Sequence, residues 1–123
     1  MILADTSVWI SFLRKDDPEL VYILKKYLKK EDVFTVSAVF GELFQGVKNK
    51  REAEILNIIW SSLPKVEEEE LFLHAGKISN THKLYAKGVG LIDCYLLAAC
   101  FENDLNLWTL DKKLQKAFDE INL

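Results

Sequence analysis

The chain has 123 residues, of which 50% are hydrophobic and 28% are charged, a composition that supports one folded domain and excludes a disordered protein. Its formal net charge of -3 excludes nucleic-acid binding by bulk positive charge, so any contact with phosphates needs local clusters of lysine and arginine. No apolar run approaches the roughly 20 residues of a membrane-spanning helix, and we expect no signal-peptide core because Asp5 follows only four apolar residues. We therefore expect a cytoplasmic protein that contacts no membrane.

Short β-like runs alternate with longer helical patterns along the chain. The β-like runs cover residues 1–4, 33–36 and 107–110. The helical patterns cover residues 7–13, a helix begun by Asp16-Asp17-Pro18, a helix with Ser37 as its N-cap, and then residues 51–63, 71–87, 91–101 and 112–118. This alternation predicts an α/β fold with three layers, α/β/α, in which helices cover both faces of a small, mostly parallel sheet.

Four acidic residues occupy equivalent places in this pattern. Asp5 follows the first strand, and Asp111 follows the last. Glu42 lies early in the helix after the second strand, and Asp93 is the only charge in residues 91–101. Because parallel strands end at the same edge of a sheet, we expect these carboxylates to gather at one edge, where open α/β folds place their sites.

Each acid also has an ordinary structural explanation. Asp5 and Asp111 could cap the helices that follow them, and Glu42 could be a solvated glutamate. Asp93 is harder to explain, because an unpaired buried carboxylate costs several kcal/mol or becomes neutral. Its partner is either a lysine or arginine that reaches in, or a metal ion.

Taken together, the four acids favour a metal site. Oxygen ligands with no histidine or cysteine nearby select Mg²⁺ or Mn²⁺ rather than zinc. Such an ion activates water and stabilises charge on phosphoryl oxygens. Three hydroxyl groups next to the acids could add contacts: Thr6, Ser7 and Thr109.

The order and spacing of short motifs around these acids resemble the PIN-domain ribonucleases. The motifs are Asp5-Thr6-Ser7, Glu42-Leu43 with Gly46, Gly90-Leu91-Ile92-Asp93, and Trp108-Thr109-Leu110-Asp111. The resemblance covers nearly the whole chain, and the small layout is similar to the VapC toxins of toxin–antitoxin pairs. One departure is Lys112-Lys113-Leu114, where the family often has an aromatic residue.

This resemblance implies a function for the whole chain. Residues 1–123 are expected to form a single PIN-like nuclease domain that cleaves single-stranded or loop RNA. The residues expected to hold one or two Mg²⁺ or Mn²⁺ ions and to be catalytic are Asp5, Glu42, Asp93 and Asp111. The resemblance also implies a homodimer and a small cognate antitoxin protein that blocks the site.

Two further sets of residues are candidates for contacts: basic residues that follow the helices after Asp5 and Glu42, and apolar residues that exceed what a small sheet can easily bury. The candidate RNA-contacting rim, otherwise simply solvated, comprises Arg14, Lys15, Lys48, Lys50 and Arg51. The candidate dimer surface, otherwise packed inside one subunit, comprises Phe40, Phe44, Ile58, Ile59 and Trp60. The acidic run at residues 67–70 is interpreted as a solvated turn or helix start.

Two rival functions remain open. A PIN-like fold can serve as a catalytically silent interaction module, which the intact set of acids argues against. A receiver-like signalling domain has a similar length, but it needs paired acids after the first strand and a lysine after the last. Here Asp5 stands alone, and Thr109-Leu110-Asp111 supplies no lysine.

Overall fold

The centre of the molecule is a sheet of three parallel strands, in a computed structural model that describes residues 1–122. The strands are β1 (Ile2–Ala4), β2 (Val33–Phe34) and β3 (Asn106–Trp108), in the order β2-β1-β3. Ile2 lies opposite Val33 on one side and Asn106 on the other. The predicted small parallel sheet is therefore confirmed, with strands shorter than the apolar runs suggested.

Helices fill the rest of the pattern, as the alternation predicted. In residues 1–122 there are seven α-helices: α1 (Thr6–Arg14), α2 (Pro18–Lys29), α3 (Ser37–Gln45), α4 (Lys50–Ser62), α5 (Leu71–His82), α6 (Leu91–Asn103) and α7 (Lys112–Ile121). A short 3-10 helix, Tyr85–Lys87, lies between α5 and α6. None of the helices in the described part of the chain is long and apolar enough to cross a membrane.

The long helix expected over residues 71–87 is wrong, because α5 ends at His82. Lys83 adopts a left-handed backbone conformation with φ of 55°, and Leu84 N–H then bonds back to the Ser79 carbonyl at 3.0 Å. This reversal buries Leu84 and Val89. Burial of two large apolar side chains, each worth about 1.5–3 kcal/mol, outweighs the cost of one strained residue.

Helix α6 lies at the centre of the core. Every side chain from Cys94 to Cys100 is buried, and α6 packs closely along α5. Both cysteines are free, and burial raises the pKa of the Cys100 thiol to about 12. The cysteines therefore act as small apolar core residues.

The expected dimer surface is wrong, because most of its residues pack inside the subunit. Phe40 is buried, with its ring centroid 5.5 Å from that of Trp9 and 5.4 Å from that of Trp60. Phe44, Ile59 and Trp60 also pack against the core. Only Ile58 is strongly exposed, at 70%. Phe40 and Trp60 therefore link α3 and α4 to Trp9 of α1.

Candidate active site

Asp5 lies where β1 ends and α1 begins, and it is 6% exposed. Its Oδ1 accepts hydrogen bonds from the backbone N–H groups of Ser7 at 2.8 Å and Val8 at 3.3 Å, so Asp5 is the N-cap of α1. Oδ1 also accepts from the Ser7 hydroxyl, and Oδ2 accepts from the Thr109 hydroxyl. Three of these bonds hold the Asp5 carboxylate to the start of α1, and the bond from Thr109 ties it to the loop that follows β3.

Asp111 is held to the same edge of the sheet. Its Oδ1 caps α7 by accepting from the N–H groups of Lys113 at 2.9 Å and Leu114 at 3.2 Å. Its own N–H donates to the Thr109 hydroxyl at 3.0 Å. Thr109 thus joins the two aspartates, since it donates to one and accepts from the other. The capping explanation for both residues is correct, and capping also places them at one edge.

Glu42 extends from α3 toward the sheet edge that carries Asp5. Its Oε1 accepts a hydrogen bond of 2.6 Å from the hydroxyl of Thr6, the residue after Asp5. The carboxylate is exposed, as expected for a residue away from the apolar stripe of its helix. Unlike a solvated glutamate, it is tied to the start of α1.

Asp93 lies in the first turn of α6 and is half-buried. Its pKa is raised above the ordinary value of 3.8, first by burial and then by the negative charges of Asp111, Asp5 and Glu42. A hydrogen bond from the Gly90 backbone opposes this rise, because it stabilises the ionised form. The charges of the other three predicted acids therefore all raise the pKa of Asp93, which means that the four carboxylates lie close enough to interact electrostatically.

The donor set fits a hard cation, although the carboxylates are not tightly gathered. In residues 1–122, no three side chains of the types His, Cys, Asp and Glu are close enough to hold one ion directly. Mg²⁺ usually binds one or two carboxylates and keeps several waters, so a dispersed set of acids can hold it. None of the four forms a salt bridge within the described part of the chain. No salt bridge therefore offsets the negative charge around Asp93 within residues 1–122.

The sequence and the fold both match one family of known proteins. The sequence profile of the PIN domain matches residues 2–120. The chain belongs to the PIN domain family. Ribonuclease VapC32, from two strains of Mycobacterium tuberculosis, is 32% identical over an alignment that covers 98% of this chain and 92% of the relative. The crystal structure of FitAcB from Neisseria gonorrhoeae has the same fold, with a TM-score of 0.66, 21% identity, and coverage of 97% of this chain and 94% of that one.

A groove of about 460 Å³ opens beside Glu42 in this PIN domain, between α1, α3 and α4. Its lining is mainly apolar, and the charged residues on it are Arg14, Glu42, Lys48 and Glu52. Gly46, one turn beyond Glu42, also lines it. Of the predicted basic rim, the groove therefore includes Arg14 and Lys48 but not Lys15, Lys50 or Arg51.

One functional candidate escaped the sequence interpretation altogether. Glu68 belongs to the acidic run that was expected to be a solvated turn, yet it is half-buried and bonds to both α3 and α6. Ser37, predicted to be the N-cap of α3, is instead its first residue, and the side chain that caps this helix is that of Glu68. Nothing in the local sequence signals a cap that comes from 31 positions away.

Proposed function

We propose that this PIN domain is a metal-dependent endoribonuclease that cleaves single-stranded or loop RNA, and that it is the toxin of a type II toxin–antitoxin pair. The observation that carries the proposal is the negative charge that surrounds the Asp93 carboxylate. Burial raises the pKa of Asp93 first, three other carboxylates raise it further, and no salt bridge to a lysine or arginine offsets them in residues 1–122. Of the two partners considered for Asp93, a basic side chain or a metal ion, this favours the metal.

The residues proposed to hold Mg²⁺ or Mn²⁺ are Asp5, Glu42, Asp93 and Asp111. When bound, such an ion supplies Lewis acidity toward a phosphodiester and lowers the pKa of water. The protein's own contribution is orientation. Thr109 and Ser7 direct the Asp5 carboxylate, and Thr6 directs Glu42, so three hydroxyl groups fix two of the four acids before substrate arrives.

RNA is the proposed substrate because the curated relative in the same family is named a ribonuclease. The groove beside Glu42 offers a path for the strand, with Arg14 and Lys48 available to phosphates. Since the net charge of the chain is -3, these local cations matter more than the protein's overall field. A cytoplasmic location and a small antitoxin that covers the acids complete the proposal.

A homodimer is also proposed, through a surface different from the one first expected. Large apolar side chains are exposed along α5, the 3-10 helix and the start of α6: Phe72, Leu73, Tyr85, Leu91 and Ile92. Tyr85 is 89% exposed. Tyr85 and Leu91 line one shallow depression, and exposed apolar residues of this kind are typical of association surfaces. Sedimentation velocity at high micromolar concentration distinguishes the dimer from a monomer.

The deciding experiment incubates the purified protein with single-stranded RNA, with a structured RNA that has an open loop, and with single-stranded DNA of the same sequence. We expect cleavage of the two RNAs with Mg²⁺ or Mn²⁺, none in EDTA, and recovery when the metal is restored. A protein that leaves every RNA intact over a range of metal concentrations is the silent interaction module instead.

A further inference from the structure

The carboxylate of Glu68 contacts two helices at once. Glu68 lies in the segment between α4 and α5. Its Oε2 accepts a 3.0 Å hydrogen bond from the backbone N–H of Ser37, and its Oε1 accepts a 2.7 Å bond from the Ser37 hydroxyl. Oε1 also accepts from the phenol of Tyr95 on α6. One side chain therefore joins the start of α3 to the first half of α6.

On the α3 side, Glu68 performs a task that the helix cannot perform for itself. The N-cap position of α3 is Val36, whose side chain makes no capping bond. A carboxylate at a helix N-terminus satisfies free N–H groups and interacts favourably with the helix dipole. Glu42 lies five residues after Ser37, about 7.5 Å along the axis at 1.5 Å per residue. The position of this cap therefore sets the position of Glu42.

On the α6 side, the link is to a residue close to Asp93. Tyr95 follows Asp93 by two positions, which is about 200° around a helix. The two side chains consequently leave α6 on opposite sides, with the phenol toward Glu68 and the carboxylate toward the other acids. Tyr95 is buried, and its ring meets that of Phe72 edge-on at a centroid distance of 5.9 Å. Rotation of α6 about its axis would break the bond to Glu68.

We propose that Glu68 is a positioning residue of the active site, which fixes the helix that carries Glu42 relative to the helix that carries Asp93. The inference rests on the proposed metal-dependent function. Glu42 and Asp93 are like charges, and repulsion between them tends to separate their helices. Glu68 opposes that separation through three hydrogen bonds that lie away from the acids themselves. The arrangement corresponds to the outer-shell groups that orient metal ligands in other sites.

The test compares Glu68→Gln with Glu69→Gln, the same change at the next residue of the acidic run, which is exposed. Glutamine keeps the length of the side chain but replaces one acceptor oxygen by a donor. Mn²⁺ affinity is measured by water proton relaxation, and RNA cleavage is followed at saturating metal. For Glu68→Gln we expect Mn²⁺ affinity and kcat each to fall about tenfold, with the KM for RNA unchanged. Glu69→Gln should match the wild type in all three.

A second variant keeps the test decisive if Glu68→Gln folds poorly. Tyr95→Phe removes the bond to α6 but leaves the cap of α3, so Mn²⁺ affinity should fall by a smaller factor. The double variant should lose no more Mn²⁺ affinity than Glu68→Gln alone, because both changes break the same link between α3 and α6.

Wild-type Mn²⁺ affinity and kcat in Glu68→Gln, with only a lower melting temperature, would make Glu68 a structural cap and overturn the proposal. If Glu68→Gln does not fold, wild-type Mn²⁺ affinity and kcat in Tyr95→Phe would overturn the proposal instead. A wild type that neither binds Mn²⁺ nor cleaves RNA removes the proposed function itself, a result distinct from a failure confined to the variants.

Discussion

The hydroxyl of Thr6 donates a 2.6 Å hydrogen bond to Glu42, although 36 positions separate the two residues along the chain. Thr6 opens α1 directly after Asp5, so this bond attaches the α3 carboxylate to the sheet edge that carries Asp5 and Asp111. A threonine in this place thus connects two elements that local sequence does not relate. Its side chain acts on the orientation of Glu42 rather than on the core.

Thr6→Val should lower kcat for RNA cleavage about tenfold while it changes the melting temperature little. The substitution keeps the shape of the side chain and removes the hydroxyl, so Glu42 is no longer held toward Asp5. Steady-state kinetics at saturating metal measure the effect. The control is Thr81→Val on the exposed side of α5. Unchanged kcat in Thr6→Val would show that Glu42 does not need this bond.

The raised pKa of Asp93 predicts an unusual pH dependence of stability in EDTA. The folded state disfavours the ionised carboxylate, so the contribution of this group to stability is present below its ordinary pKa of 3.8 and is lost as the pH rises through the folded pKa. Asp93→Asn should therefore be more stable than the wild type at neutral pH. Its advantage should shrink as the pH falls toward 3.8.

Urea unfolding at several pH values in EDTA measures this difference. Asp104→Asn is the control, because Asp104 is exposed and its left-handed backbone also suits asparagine. Its stability relative to the wild type should not vary in the same way. An Asp93→Asn protein that is less stable than the wild type at neutral pH would mean that the carboxylate is favourably paired.

Mg²⁺ or Mn²⁺ should raise the melting temperature of the wild type. An ion that binds only the folded protein stabilises it by RT ln(1 + [L]/Kd), which is about 2.7 kcal/mol at a hundredfold excess over Kd. The shift should be smaller in Asp5→Asn and unchanged in Asp104→Asn. Each variant is compared with itself in EDTA, because Asp5→Asn also alters the cap of α1. Equal shifts in all three proteins would place the ion elsewhere.

The basic residues of the groove should contribute to the salt dependence of RNA binding. Arg14→Gln and Lys48→Gln should each reduce the slope of log affinity against log salt by roughly 0.7, the value for one lost phosphate contact on a single strand. Titrations in the Asp93→Asn background avoid cleavage during the measurement. The control pair is Lys25→Gln and Lys29→Gln, on the exposed face of α2. Identical slopes in the groove variants and the controls would exclude the groove as the RNA path.

The placement of Asp5 and Asp111 at one edge of the sheet was predictable, because parallel strands end at the same edge. Apolar runs followed by Asp5 and Asp111 predicted parallel strands that end together, and Thr109 now links these two residues. The break after α5 was not predictable, because the left-handed Lys83 is maintained by the burial of Leu84 in the complete fold. Local propensity favours a helix there, and tertiary burial overrides it.

The role of Glu68 escaped prediction for a different reason. Four consecutive glutamates have the composition of a solvated turn, and the one that caps α3 differs from its neighbours only in where the folded chain places it. The interpretation of the α3 and α4 apolar residues as an exposed surface failed on similar grounds. The apolar stripes of α3 and α4 look excessive for a small sheet, but Phe40 and Trp60 fill the space beside Trp9. Counting apolar residues does not reveal which face they cover.

The most direct measurement of the central claim is RNA cleavage by the wild type and by Asp93→Asn at saturating Mg²⁺ or Mn²⁺, with EDTA controls for both. Neutralising Asp93 removes one of the four carboxylates without disturbing the core, so we expect a loss of about 100-fold or more in kcat, or about 2.7 kcal/mol of transition-state stabilisation. Asp104→Asn should cleave like the wild type. Equal cleavage by Asp93→Asn and the wild type, or cleavage that persists in EDTA, would contradict a metal-dependent site built on these four acids.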